Sequence, residues 1–279
     1  MPGGLTAILQ RDRLVVLAAL AVLTLLAWAD VLWLSGHMVM PPPAQPDGMA
    51  GMDMPGMDMK SMAAAAAPAF KAWGPVDFLF VFAMWAVMMT GMMTPSVAPA
   101  VLLYAGFGRR AVAGGAPFAS AGWFYGGYLA VWIAFSALAT FAQWGLTALA
   151  LLTPMMASAG NALGGGLLVA TGLYQWTPLK GRCLSACQAP LAFLMQHGGF
   201  RAEPVGAFSL GATHGAYCFG CCIALMTLLF VGGVMNILWI AALTILVLLE
   251  KTVPAGHLIP RLSGTAMIAA GIWLLFRGG

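Results

Sequence analysis

The chain has 279 residues, 62% of them hydrophobic and only 7% charged, with 12 Lys/Arg against 8 Asp/Glu. Soluble domains carry about 25% charged residues, so a water-exposed globule of this size is excluded. A nucleic-acid surface is excluded as well, because no basic cluster exceeds the pair Arg109–Arg110. The composition predicts an all-α, polytopic transmembrane helix bundle.

A transmembrane helix needs ~20 mainly apolar residues to cross ~30 Å of hydrocarbon. Taken in chain order, such runs fall at 14–35, 76–106, 119–150, 160–176, 205–232, 235–253 and 262–276. They predict seven spans, with six as the alternative because the fourth and seventh runs are short. The first run is too long for a signal-peptide core and lacks a convincing A-x-A cleavage site, so it is expected to stay attached. With the N-terminus inside, Arg11, Arg13, Arg109, Arg110, Lys180, Arg182, Arg201, Lys251 and Arg261 fall on the inner side. Only Lys60, Lys71 and Arg277 then lie outside, as the positive-inside bias requires. The expected setting is a bacterial inner membrane, with the N-terminus cytoplasmic and the lipid bilayer as the main surroundings.

Three parts are expected. Residues 1–35 form a tail and first helix, 36–75 a periplasmic linker, and 76–279 a helical core with a cytoplasmic loop at 177–204. The linker is rich in Pro and Gly and repeats as Gly51-Met52-Asp53-Met54-Pro55-Gly56-Met57-Asp58-Met59. Such a segment cannot bury enough apolar surface to pack. It nonetheless holds eight methionines between Met38 and Met62, beside His37. Thioethers are soft, neutral ligands that favour Cu(I), and the M-x-M and M-x-x-M spacings let a flexible chain wrap several sulfurs round one ion. His37, Met52, Met54, Met57 and Met59 are therefore candidate copper ligands. A low-complexity tether in which methionine is merely tolerated is the plainer alternative.

The second span carries Met84, Met88 and Met92 on one row, with Met89 and Met93 on the adjacent row. Thr94-Pro95 is expected to kink the helix below them, and Asp77 after Pro75 reads as an N-cap. A methionine stripe in a membrane helix serves packing more often than ligation. The fifth span alters that balance, because His214, Cys218, Cys221 and Cys222 stand at i, i+4, i+7 and i+8 on one helical face. An ionisable residue inside a membrane is costly and marks function, and thiolate with imidazole suits Cu(I) or zinc. The alternative is a hydrogen-bonded histidine beside inert thiols. Met88, Met92 and Met93 fall at the same expected depth as His214–Cys222, so the two sets are candidates for one site. Cys183 and Cys187 form a C-x3-C pair on the cytoplasmic side that fits one face of a short amphipathic helix, able to exchange metal with a partner or to be incidental. Reducing cytosol argues against a disulfide there. Asp30 lies inside the first span, where it would orient a ligand or pair with another helix, and Glu250 reads as a charge snorkelling from the inner end of the sixth.

The stretches Trp85–Pro99, Gly172–Cys183, His214-Gly215-Ala216-Tyr217-Cys218-Phe219-Gly220-Cys221-Cys222, Met235-Asn236 and Leu249-Glu250-Lys251 together resemble a family of bacterial integral membrane proteins described as predicted metal-binding and of undefined function. The resemblance covers roughly 75–275 and implies a helical membrane protein with a metal site. The Met-rich linker lies outside it.

The residues favour a copper-handling protein: the linker captures Cu(I), and the buried Met/His/Cys set holds or relays it to a copper chaperone or cuproenzyme partner. No G-x-x-x-x-G-K-[ST] sequence is present, so metal movement would not be driven by a P-loop ATPase in this chain. The second reading is a membrane-embedded copper-dependent oxidoreductase acting on a lipid-soluble or small substrate. A third is a thiol–disulfide enzyme using Cys221–Cys222 or Cys183–Cys187, weakened because neither of these pairs has C-x-x-C spacing at an external face.

Overall fold

The structure, a computed structural model, describes residues 3–37, 73–115, 117–153, 156–158, 160–253 and 258–277, with side chains of the first helix described from 15 to 33. The methionines at 38–62, with Met52, Met54, Met57 and Met59 among them, lie outside the described residues, as does the side chain of His37. Among the described residues the fold is all-α. It consists of α1 (Gly3–His37), α2 (Pro75–Ala113), α3 (Ala121–Ala148), α4 (Asn161–Gln175), α5 (Pro178–Gln188), α6 (Pro190–Gln196), α7 (Pro204–Thr227), α8 (Leu229–Gly232), α9 (Ile237–Thr252) and α10 (Leu258–Arg277).

Five helices are long and apolar enough to cross a membrane: Val15–Trp33 within α1, α2, α3, α7 continued by α8, and α10. The expected fourth and sixth spans fold as α4 and α9, of 15 and 16 residues. At 1.5 Å per residue they reach only about 22–24 Å, so length and composition give five candidate crossings and do not confirm the seven expected. The second run extends past its expected end at 106: α2 continues to Ala113, 39 residues in all. The segment 177–204 is not an irregular loop, since it folds into α5 and α6, and α5 packs along α7.

Local signals explain the boundaries. Pro75 opens α2 at its first turn, where a missing N–H costs nothing. Gly74 is the N-cap, and Asp77, three residues in, accepts the Gly74 N–H at 2.8 Å. Asp77 thus closes a capping box from the N3 position and is not the N-cap itself. Helix α2 runs on through Pro95 and Pro99. Around them Thr94 and Ser96 return their hydroxyls to the carbonyls of Thr90 and Met93, a use of Ser/Thr that membrane helices tolerate well. Thr177 caps α5 by accepting the Lys180 N–H, with Pro178 again in the first turn.

Helix α3 packs on α7 with almost no side chain between them. A Cβ on Gly127 would collide with the Phe208 carbonyl, and one on Gly211 with that of Phe124. Small residues of this kind let membrane helices approach backbone to backbone. Helix α10 packs against α4 in the same way, and α1 lies along α2. The fully buried centre holds Trp85, Met89, Met93, Tyr104, Phe124 and Tyr128. The outer faces are apolar too, with Phe276 84% and Leu238 83% exposed. Apolar outer faces of this kind are compatible with a bilayer around the long helices.

Candidate metal centre

Helix α7 carries the cysteine face inward: His214, Cys218, Cys221 and Cys222 are all buried. Helical spacing brings the Cys221 and Cys222 sulfurs to 3.3 Å, while the Cys221 thiol donates to the Cys218 carbonyl at 3.1 Å. Helix α5 then adds a fourth sulfur. Cys187 Sγ lies 3.9 Å from Cys221 Sγ, although 34 residues separate them. Its partner Cys183, one turn earlier, faces the backbone of α7: a Cβ on Gly220 would come within 2.7 Å of Cys183 Sγ. Cys187 joins the α7 cysteines and Cys183 seats α5 against them. All five thiols are free.

Burial pushes the Cys183 thiol above its ordinary range. Cys187 is held well above it as well, first by sulfur hydrogen bonding with Cys218 and then by burial. Both are therefore protonated at neutral pH, and a metal that binds Cys187 must displace its proton.

Cys218 has the most polar surroundings of the set. Lys251, on the last turn of α9, donates from Nζ to Cys218 Sγ at 2.9 Å and to Ser96 Oγ at 3.0 Å. The Tyr128 hydroxyl from α3 lies 3.1 Å from the same sulfur and reaches the Met93 carbonyl at 3.3 Å. Helices α2, α3, α7 and α9 are thus tied at one sulfur. A buried ammonium is tolerated only where hydrogen-bond acceptors or an opposite charge surround it, and Cys218 with Ser96 supplies them.

Met84, Met88, Met89, Met92 and Met93 are buried in the same core as the cysteines. The link between the methionine row and the cysteine face runs through Tyr128, Ser96 and Lys251, with the Met93 carbonyl as its end point. His214, one turn before Cys218, is 3% exposed. Its ring packs edge-on to Phe193 at 4.8 Å and beside Tyr128 at 6.1 Å. Its Nδ1 has no hydrogen-bond partner. An orphaned buried nitrogen next to a thiol row calls for an explanation, and a soft cation is one.

Among the described residues no group of three or more His, Cys, Asp or Glu side chains closes around an ion. The sulfurs stand as neighbouring pairs, Cys221 with Cys222 and Cys221 with Cys187. Thiolates in such pairs suit soft Cu(I) ahead of hard cations.

Glu250 is 2% exposed and bonds the Lys180 ammonium at 2.6 Å. Gln175 Nε2 donates to the same carboxylate at 3.0 Å, and Gln188 Nε2 to the Glu250 carbonyl at 2.7 Å. The expected snorkelling glutamate is instead a buried ion pair joining α5 to α9, one residue before Lys251. Periodicity pointed to neither Lys251 nor Tyr128 as a site residue. The one available signal is the charged pair Glu250-Lys251 at the end of an apolar run, which counts toward orientation and the family resemblance but not toward the site.

No curated protein and no solved structure matches the chain. Residues 82–274 match a family described as a copper chaperone, PpoB2. The match runs from within α2 to within α10 and contains all five cysteines, His214, Lys251 and the methionine row from Met84. It covers well over half of the chain, which therefore belongs to the PpoB2 copper chaperone family.

Proposed function

We propose that this protein is a membrane-embedded copper chaperone that holds Cu(I) at the thiols of Cys218, Cys221, Cys222 and Cys187. The observation that carries the reading is the meeting of Cys187 and Cys221 across α5 and α7, beside a sulfur that already accepts a lysine ammonium. Each Cu–S bond forms as the S–H proton leaves, and no electron transfer is needed. Two thiolates on Cu(I) carry a net charge of −1, and the Lys251 ammonium offsets it inside a low-dielectric core. His214, whose Nδ1 is unpartnered, stands as a further ligand one turn from Cys218. Met88, Met92 and Met93 offer weaker, neutral sulfurs along the approach from the outer side.

The Met-rich segment, with His37, Met52, Met54, Met57 and Met59, collects Cu(I) on the periplasmic face of a bacterial inner membrane. The buried thiols then receive it for delivery to a cuproenzyme or a second chaperone. Thioether-to-thiolate transfer runs downhill in affinity, because thiolate binds soft cations more strongly than a neutral thioether does.

Elemental analysis of the purified protein in detergent tests this. Wild type is expected to retain copper, a deletion of 38–62 to retain it when loaded directly, and Cys218→Ala/Cys221→Ala to lose it while remaining folded. Copper kept by the double variant and lost with 38–62 would overturn the buried-site reading.

A further inference from the structure

Away from the thiols, a cavity of about 470 Å³ opens where the C-terminus of α4, the N-terminus of α5 and the start of α10 meet. Its floor is buried and polar: Gln175 is 4% and Lys180 1% exposed. Its rim carries the guanidinium groups of Arg182 and Arg261. Lys180 is already neutralised by Glu250. Among the described residues neither arginine has a carboxylate partner, so the mouth is net positive. Into this cavity the first turn of α5 presents the positive end of its dipole, with Thr177 and Pro178 on the wall.

A second feature points independently to a ligand. Gln175 spends both amide hydrogens, on Glu250 and on Ser263, and its carbonyl Oε1 is left buried with no donor. Turning the amide round would set that oxygen against the Glu250 carboxylate, so the orientation stands. An unpaired buried acceptor is costly unless something donates to it. The occupant must therefore combine an anionic group for the arginines with a hydrogen-bond donor for Gln175.

The surroundings say where that occupant comes from. Trp176 is 57% and Leu262 70% exposed beside the basic rim. Basic and aromatic side chains beside exposed aliphatic ones mark the boundary between headgroups and hydrocarbon. Basic pockets between membrane helices on the inner side accept anionic headgroups.

We infer that this cavity is a binding site for an anionic glycerophospholipid whose headgroup bears a free hydroxyl. The phosphodiester sits between Arg182 and Arg261, the hydroxyl donates to Gln175 Oε1, and an acyl chain lies along the exposed face of α10 at Leu262. The site is separate from the thiols and does not depend on copper.

Native mass spectrometry of the full-length protein in detergent tests the inference, with phosphatidylglycerol, phosphatidylmethanol, phosphatidylcholine and glycerol 3-phosphate as probes. Phosphatidylmethanol keeps the anionic phosphodiester and lacks the hydroxyl. Phosphatidylglycerol is expected to bind at least about tenfold tighter than phosphatidylcholine, with phosphatidylmethanol between them. The exposed-residue variant Arg182→Gln/Arg261→Gln is expected to lose that preference and keep its unfolding temperature, since each basic residue near a headgroup contributes about fivefold in affinity. Equal binding of all three lipids, an unchanged preference in the variant, or phosphatidylmethanol matching phosphatidylglycerol would overturn it. Glycerol 3-phosphate displacing the lipid at comparable concentration would assign the site to a soluble phosphate instead and overturn the lipid reading.

Discussion

Lys251 Nζ and Cys218 Sγ lie 2.9 Å apart, although 33 residues separate them and they sit on different helices. A lysine at that position puts a full positive charge beside the sulfur that faces Tyr128 and the end of the methionine row. Replacing Lys251 by Met removes the charge and keeps the volume. The expected outcome is a fall of about tenfold to a hundredfold in Cu(I) affinity, the range for losing a charged hydrogen bond. Competition with a coloured Cu(I) chelator measures it, and Lys251→Arg should recover part of the loss.

Cys221 and Cys183 should behave differently. Cys221 touches the sulfurs of Cys222 and Cys187, whereas Cys183 rests against the backbone at Gly220. Copper content per protein is expected to fall by more than half in Cys221→Ala. Cys183→Ala should keep copper and lose about 1–2 kcal/mol of stability as a small cavity opens. Equal copper in the two variants would count against the proposed centre.

The Lys180–Glu250 pair is fully buried, so removing one partner strands a charge. Glu250→Gln or Lys180→Met alone is expected to cost about 3–5 kcal/mol. The double variant should be more stable than either single one. Thermal unfolding in detergent reads the cycle, and its coupling energy separates a pair from two independent effects.

Backbone contact between α3 and α7 makes Gly211 intolerant. A Cβ there would collide with the Phe124 carbonyl, so Gly211→Ala must push the helices apart and draw Tyr128 away from Cys218. A loss of about 1–3 kcal/mol is expected from overpacking, together with weaker copper retention. Gly166, with nothing within 4 Å of an added Cβ, is the control. Gly166→Ala should be neutral, or stabilising by up to about 1 kcal/mol through helix propensity.

Much of the chemistry was legible before folding. His214, Cys218, Cys221 and Cys222 share a face because of helical spacing alone, and they are buried together as expected. Less legible was the part played by α5. The C-x3-C spacing fits a short helix, as α5 is, but the burial of α5 arises from its packing on α7 and leaves no periodic trace. The expected count of seven is not reached by length and composition alone, for a related reason. Apolar runs report buried faces as readily as lipid-facing ones, and α4 and α9 are short helices that the bundle itself helps to cover.

Composition by itself determined an all-α bundle with several helices long and apolar enough to cross a membrane, since so few charges cannot coat a water-exposed surface. Local spacing determined which sulfurs one helix could present. Tertiary structure alone decided that Cys187 meets Cys221, that Lys251 points at Cys218 and that Glu250 is spent on Lys180. Those pairings join residues tens of positions apart, and only helix packing, set by close glycine contacts and buried polar ties, brings them within bonding distance.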